Sequence, residues 1–288
     1  MKAKPFYLSL RLQSRDPRNG FTAVELLAVV AVLGLLASVM VTSLAGTRGG
    51  VAAVQCRNSL RQLVAGWRMY ADDNRGTLVY NLDGLQAGLS SGDPAWVSGW
   101  LDFSSSSANT NLAMLVNHLQ YPFGAFLGPY VEAPALFKCP ADRSQVRTGA
   151  TFIPRARSVS LNNYSGVNSR TWSGQSGSIY SVLTKLSQIK SPKDMFVILD
   201  ERADSINDGL FWTDADTRWQ LIDYPGAYHS GSGSLSFADG HVETHRWNDP
   251  RTNPILQPGQ LMPLNQNLPG DFDVLWLQQH AVGTPSTP

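Results

Sequence analysis

Several groups of side chains in this 288-residue sequence could do chemistry. The first is a lone carboxylate, Glu25, at the mouth of a long uncharged run. An acid placed there costs free energy in an apolar setting unless a counter-charge meets it. The second is the oxygen-rich run Asp200, Glu201, Asp204, Asn207 and Asp208, which follows an apolar stretch. Such ligands suit Ca2+, although the spacing is not that of an EF-hand loop. The plainer reading is turn chemistry, with Asp and Asn side chains capping loop amides. The third lies near the C-terminus: His229, nine residues, Asp239-Gly240, then His241, Glu243 and His245. On a strand the last three share one face, so two imidazoles and a carboxylate could hold a metal, with His229 as a fourth ligand. The plainer reading is a solvent-facing polar strand, with His229 bonded to Asp239 and pinning the loop. Finally, Cys56 and Cys139 could form one disulfide in an exported domain, or remain two buried thiols.

The elements that must position these groups can be read from pattern. Residues 26–45 are an uncharged run long enough to cross a bilayer core of roughly 30 Å. Residues 1–20 carry five basic side chains and one acidic one, so the net charge of +1 hides a mildly acidic remainder. That remainder offers no electrostatic case for nucleic acid. The basic cluster predicts a cytoplasmic N-terminus, with everything beyond about residue 46 outside the cytoplasm. From Val51 to about Asp72 the pattern turns amphipathic, with Leu60, Leu63, Val64, Trp67 and Tyr70 on one helical face. Asp73-Asn74-Arg75-Gly76 should end that helix. Met195–Leu199 reads as a buried strand. Ser234–Ala238 and His241–Trp247 read as a hairpin closed by a type I′ turn at Asp239-Gly240. A two-residue turn pairs Ala238 with His241, Phe237 with Val242 and Ser236 with Glu243. It puts Leu235, Phe237, Val242 and Thr244 on one face and His241, Glu243 and His245 on the other. Asp271–His280 could form a short terminal helix.

Gly20-Phe21-Thr22-Ala23-Val24-Glu25-Leu26-Leu27 resembles the prepilin peptidase site of type IV pilins and type II secretion pseudopilins. The resemblance implies cleavage between Gly20 and Phe21 and N-methylation of Phe21. It also implies an assembly role for Glu25, pairing with the α-amino group of Phe21 on a neighbouring subunit. His229, Asp239 and Gly240 are similar to the H-X9-DG segment of a prepilin-type subgroup. Cys56-Arg57-Asn58-Ser59-Leu60 and Cys139-Pro140-Ala141-Asp142 fit the same subgroup. Because major pseudopilins bind calcium, the resemblance adds weight to Ca2+ at Asp200, Glu201, Asp204 and Asp208.

The fold expected is α+β and pilin-like. A long N-terminal helix, membrane half plus amphipathic half, would pack on an antiparallel β-sheet. The domains would be a leader (1–20), a transmembrane or filament-core helix (21–46), an amphipathic half (47–73) and an extracytoplasmic β-rich domain (74–288). Function is expected to be structural: a pseudopilin or minor pilin at the inner membrane. Its partners would be prepilin peptidase, other pilin or pseudopilin subunits and the inner-membrane assembly platform. No glycine-rich phosphate loop, HExxH or nucleophile elbow is present, and no enzyme is expected. Two other classes stay open. Tryptophans such as Trp96, Trp100, Trp172 and Trp212 could form a carbohydrate- or surface-binding module carried on the helix. A metal-dependent hydrolase would need a cleft around His229, Asp239 and His241.

Overall fold

The computed structural model describes residues 22–169 and 179–283, without the side chains of residues 36–49. Gly20, Phe21 and Trp172 lie outside the described residues. The chain divides into two compact units, Met1–Thr47 and Arg48–Pro288.

Helix α1 is assigned over Ala23–Asp73 and crosses that division. In the first unit its described side chains, through Leu35, are apolar apart from Glu25 and all exposed. At 1.5 Å per residue, residues 23–35 extend roughly 20 Å, against the ~30 Å of a bilayer core. Among the described residues no helix is long and apolar enough to cross a membrane. The expected membrane half of the fold is therefore withdrawn.

The second unit is layered. Its part of α1 buries Cys56, Leu60, Leu63, Val64 and Trp67, which recur at helical spacing and so form one stripe. The helix stops where expected: Arg75 and Gly76 both have positive φ, and the Gly76 amide returns to the Ala71 carbonyl at 2.7 Å. A long loop region follows, with a short helix α2 (Ala113–Val116) and a 3-10 turn at Pro134–Phe137. The strands are β1 (Gln145–Thr148), β2 (Thr151–Pro154), β3 (Val159–Asn162), β4 (Phe196–Asp200) and β5 (Leu210–Phe211). Beyond them come β6 (Gln220–Leu221), β7 (Ser232–Phe237), β8 (Val242–Arg246) and β9 (Gln266–Asn267). Helix α3 (Phe272–Val282) closes the unit, with the Asp271 carboxylate accepting from the Asp273 and Val274 amides as N-cap.

The main sheet has the order β5-β3-β4-β7-β8. It is mixed, not antiparallel: β5 runs parallel to β3. After β4 the chain turns through residues 201–209 and returns beside β3 on its free edge, which fixes the parallel direction. On one face, Val159, Leu161, Ile198 and Val242 meet the α1 stripe. On the other, Leu199, Leu235 and Phe237 meet Val274, Leu277 and Ala281 of α3. Strand β4 is central and buried on both sides, which is why it reads as an unbroken apolar run.

The hairpin register differs from the expectation by one residue. Ser236 faces Val242, Leu235 faces Glu243 and Gly233 faces His245. The Phe237 amide donates to the His241 carbonyl, so the loop has three residues, with Gly240 at φ 98°. A three-residue loop ending in a left-handed glycine replaces the two-residue turn that Asp-Gly favours. The slip exchanges faces. His241, Glu243 and His245 share the face of Leu235 and Phe237, while Val242 turns to α1. His241 accordingly stacks on Phe237 at 4.3 Å, and His245 stacks on Trp276 at 3.8 Å.

Candidate metal centre

Four donors converge at the end of the sheet that faces α1. Cys56 is the first residue of the α1 stripe. Asp200 ends β4 and lies in register with Val159, on the same face. Cys139 arrives from the loop after the 3-10 turn. The Ser158 amide donates to the Phe137 carbonyl at 2.9 Å, and the Cys139 amide donates to Ser158 Oγ at 2.8 Å. These bonds lay the loop along the start of β3. Pro140 then turns the chain, and the Asp142 amide closes on the Cys139 carbonyl at 3.0 Å. His229 comes from the turn that enters β7. Ser230 and Gly231 have φ of 58° and 82°, and His229 and Ser232 exchange backbone hydrogen bonds. Two left-handed residues in succession define a type I′ turn. The segment before it is held to the end of β4 by the Gly226 amide on the Asp200 carbonyl at 2.7 Å.

The four ligand atoms all lie within 4.8 Å of one another. Cys56 Sγ donates to Asp200 Oδ2 at 2.8 Å, and Cys139 Sγ lies 3.4 Å from His229 Nε2. Cys56, Cys139 and Asp200 are buried, and His229 is half-buried. Both cysteines are free thiols. Asp200 Oδ1 is buried with no hydrogen-bond partner.

Three acids in one buried space cannot all ionise without a cation. A hydrogen bond with Cys56 holds the Cys139 thiol down to about 5, helped by His229 and opposed by burial. The same bond pushes the Cys56 thiol up, as do burial and the Asp200 charge. Burial, followed by the Cys139 charge, raises the Asp200 carboxyl well above its usual range. The arrangement can either oxidise to a Cys56–Cys139 disulfide or gather a cation between sulfur, nitrogen and oxygen.

The other expected site residues take separate partners. Glu201 accepts from the Ser160 and Ser205 hydroxyls at 2.6 and 2.7 Å. Asp204 is held by Arg202 at 2.6 and 2.9 Å, and Asp208 caps the Gly84 and Leu210 amides. Of the acidic run, only Asp200 joins the cluster, and the expected calcium set does not converge. Of the bonds just described, only those of Asp208 are the amide capping of the plainer reading. His241 bonds Asp239 at 2.6 Å and lies 4.0 Å from Glu243, while His245 turns to Trp276. His229 does not bond Asp239. The six-residue strand β7 stands between them, and Asp239 instead bonds the amide and ring of His241. The three side chains expected to line a cleft are not brought together, because β7 carries His229 away from Asp239 and His241.

Sequence reasoning missed that Cys56, Cys139, Asp200 and His229 form one set. The available signals were two cysteines, an acid ending an apolar run and a histidine before a strand, each read separately. It also missed the role Glu25 plays at its own helix end. Thr22 and Glu25 form a capping box: the Thr22 amide and hydroxyl donate to the Glu25 carboxylate at 2.8 Å, and the Glu25 amide donates to the Thr22 hydroxyl at 3.3 Å.

No protein-family model, no curated protein and no solved structure matches the chain.

Proposed function

We propose that the chain is a structural subunit, a pseudopilin or minor pilin, of a filament of the type II secretion or type IV pilus kind. In this reading it is cut after Gly20 and N-methylated at Phe21. One observation carries it. Between Val24 and Leu35, eight large apolar side chains stand exposed on one helical segment, Val24 at 76% and Leu27 at 68%. A contiguous apolar surface of that kind marks an association site. Copies of the same segment bundled together would cover it, at about 1.5–3 kcal/mol for each side chain fully buried. Glu25 is four residues from the new amine in sequence, and in the bundle the Phe21 ammonium of a neighbour supplies its counter-charge. The capping box holds that carboxylate at the helix mouth meanwhile.

The binding-module alternative draws less support. Trp67, Trp96 and Trp247 are buried, and Trp100, Trp212, Trp219 and Trp276 are half-buried. Trp96 stacks on Phe137 at 5.7 Å and donates its indole N–H to the Gly209 carbonyl. Rings packed in this way favour the filament reading over a sugar platform.

Intact-mass and N-terminal analysis of the chain isolated from its host tests the reading. The expected product begins with methylated Phe21, and Gly20→Val leaves uncut precursor. Glu25→Val should be cut yet fail to enter filaments. A native chain still beginning at Met1 in assembled material overturns the proposal.

A further inference from the structure

We propose that Cys56, Cys139, Asp200 and His229 together bind one Zn2+ ion that pins helix α1 to the sheet. The donor set is two sulfurs, one imidazole and one carboxylate, the ligand types zinc takes at tetrahedral sites. Sulfur donors argue against Ca2+ and Mg2+, which take oxygen. Tetrahedral bonds of about 2.0–2.3 Å place ligand atoms roughly 3.3–3.8 Å apart. The Cys139–His229 separation of 3.4 Å already fits. The 2.8 Å contact between Cys56 and Asp200 would open by roughly 0.7 Å to meet it.

The surroundings are those of a built site. Cys139 is oriented by the bond from its amide to Ser158 Oγ. The type I′ turn at Ser230-Gly231 fixes the backbone of His229. Asp200 Oδ1 is the independent mark of a missing partner, being a buried carboxylate oxygen with no hydrogen bond. On binding, every proton still held by the two sulfurs and the Asp200 carboxyl passes to solvent. The ion then meets two thiolates, one carboxylate and a neutral imidazole. Four protein donors fill a tetrahedron and leave no open position, so the ion is structural. The hydrogen-bonded or touching pairs are separated by 144 and 90 residues in sequence. One ion therefore ties together α1, the loop after Phe137, the end of β4 and the turn into β7. This site does not depend on the filament reading: a subunit that assembles without zinc and a zinc protein that never assembles give different results.

The test uses the full chain, purified in detergent under reducing conditions without chelator. Elemental analysis should find about one zinc per chain. Replacement by Co2+ should give the intense visible bands of a tetrahedral ion together with thiolate charge transfer. Asp200→Asn and His229→Gln keep side-chain size. Each should lower zinc affinity at least tenfold, as should Cys139→Ser. If these variants do not fold, the cobalt spectrum of the unmodified chain still decides, since no thiolate band means no such site. A metal-free chain overturns the proposal, whether its thiols are alkylated on unfolding or are locked as a disulfide. Zinc retained undiminished by all three variants overturns it as well.

Discussion

The two described stretches of α1 bear opposite relations to the rest of the protein. Residues 24–35 are apolar nearly all round and exposed. Residues 56–71 are apolar on one stripe, and that stripe is buried to 1% or less at Cys56, Leu60, Leu63, Val64 and Trp67. The difference is pattern. A one-sided stripe can be satisfied by one partner layer, and the sheet of the same chain provides it. A helix apolar on every side needs partners around its whole circumference, which one small domain does not offer. In the proposed reading the first stretch is covered by other copies of the chain, while the second is covered by its own sheet.

The largest effect should come from breaking the buried stretch. Trp67 is fully buried in the α1–sheet core, so Trp67→Ala should cost about 3–5 kcal/mol by lost burial and the cavity left behind. A urea midpoint hardly changed from the parent chain would show that the stripe does not hold α1 to the sheet.

The stripe was legible because a 3.6-residue period survives whatever the helix packs on. The existence of β4, of the β7–β8 hairpin and of α3 was legible for similar reasons. Register was not. Asp239-Gly240 suits a two-residue turn, but the loop takes three residues, and one residue of slip carries His245 from solvent to Trp276. The metal centre was least legible. Its donors were noticed as separate signals: a pair of cysteines, an acidic run and a His-X9-Asp-Gly spacing. Nearest-neighbour reading then gave His229 to Asp239, although the intervening residues form a strand that holds the two apart. Contacts spanning 144 residues leave no local trace in sequence.

A middle-sized effect separates the α3 face of the sheet from the α1 face by pH. His245 is stacked between Trp247 and Trp276, with Asp273 at 3.9 Å and His280 nearby. Burial, then the charge of His280, lowers it to about 4 from a usual 6.5. A lowered histidine stays neutral in the folded chain while the unfolded chain takes up a proton. Its contribution is therefore complete above pH 6.5 and lost as pH falls toward 4. The loss should be about 2 kcal/mol across that window. The decisive quantity is the difference between the parent chain and His245→Phe, because other buried acids titrate in both. Equal acid slopes in urea titrations from pH 7 to 4.5 would remove His245 as the cause.

The smaller effect concerns the helix mouth. Thr22→Ala removes one half of the capping box and should cost the first turn of α1 about 1 kcal/mol. Amide exchange at the first turn should quicken, while the urea midpoint of the Arg48–Pro288 unit stays where it was. Protection unchanged at Ala23–Glu25 would mean that the Thr22–Glu25 bonds do not set the helix start.

The smallest effect on folding should fall on the exposed stretch. It sharpens the comparison most, because stability and association should come apart there. Leu27 is 68% exposed and contributes little to its own chain. Leu27→Ala should therefore shift the stability of the isolated chain by no more than about 0.5 kcal/mol. In a filament the same side chain is buried among copies, and truncation should weaken each contact by about 2 kcal/mol, roughly thirtyfold in association. Sedimentation of assembled material against protein concentration reads the second quantity, and chemical denaturation of dispersed chains reads the first. Loss of stability without loss of assembly would mean that this stretch packs on its own chain after all, and the distinction between the two stretches of α1 would fall.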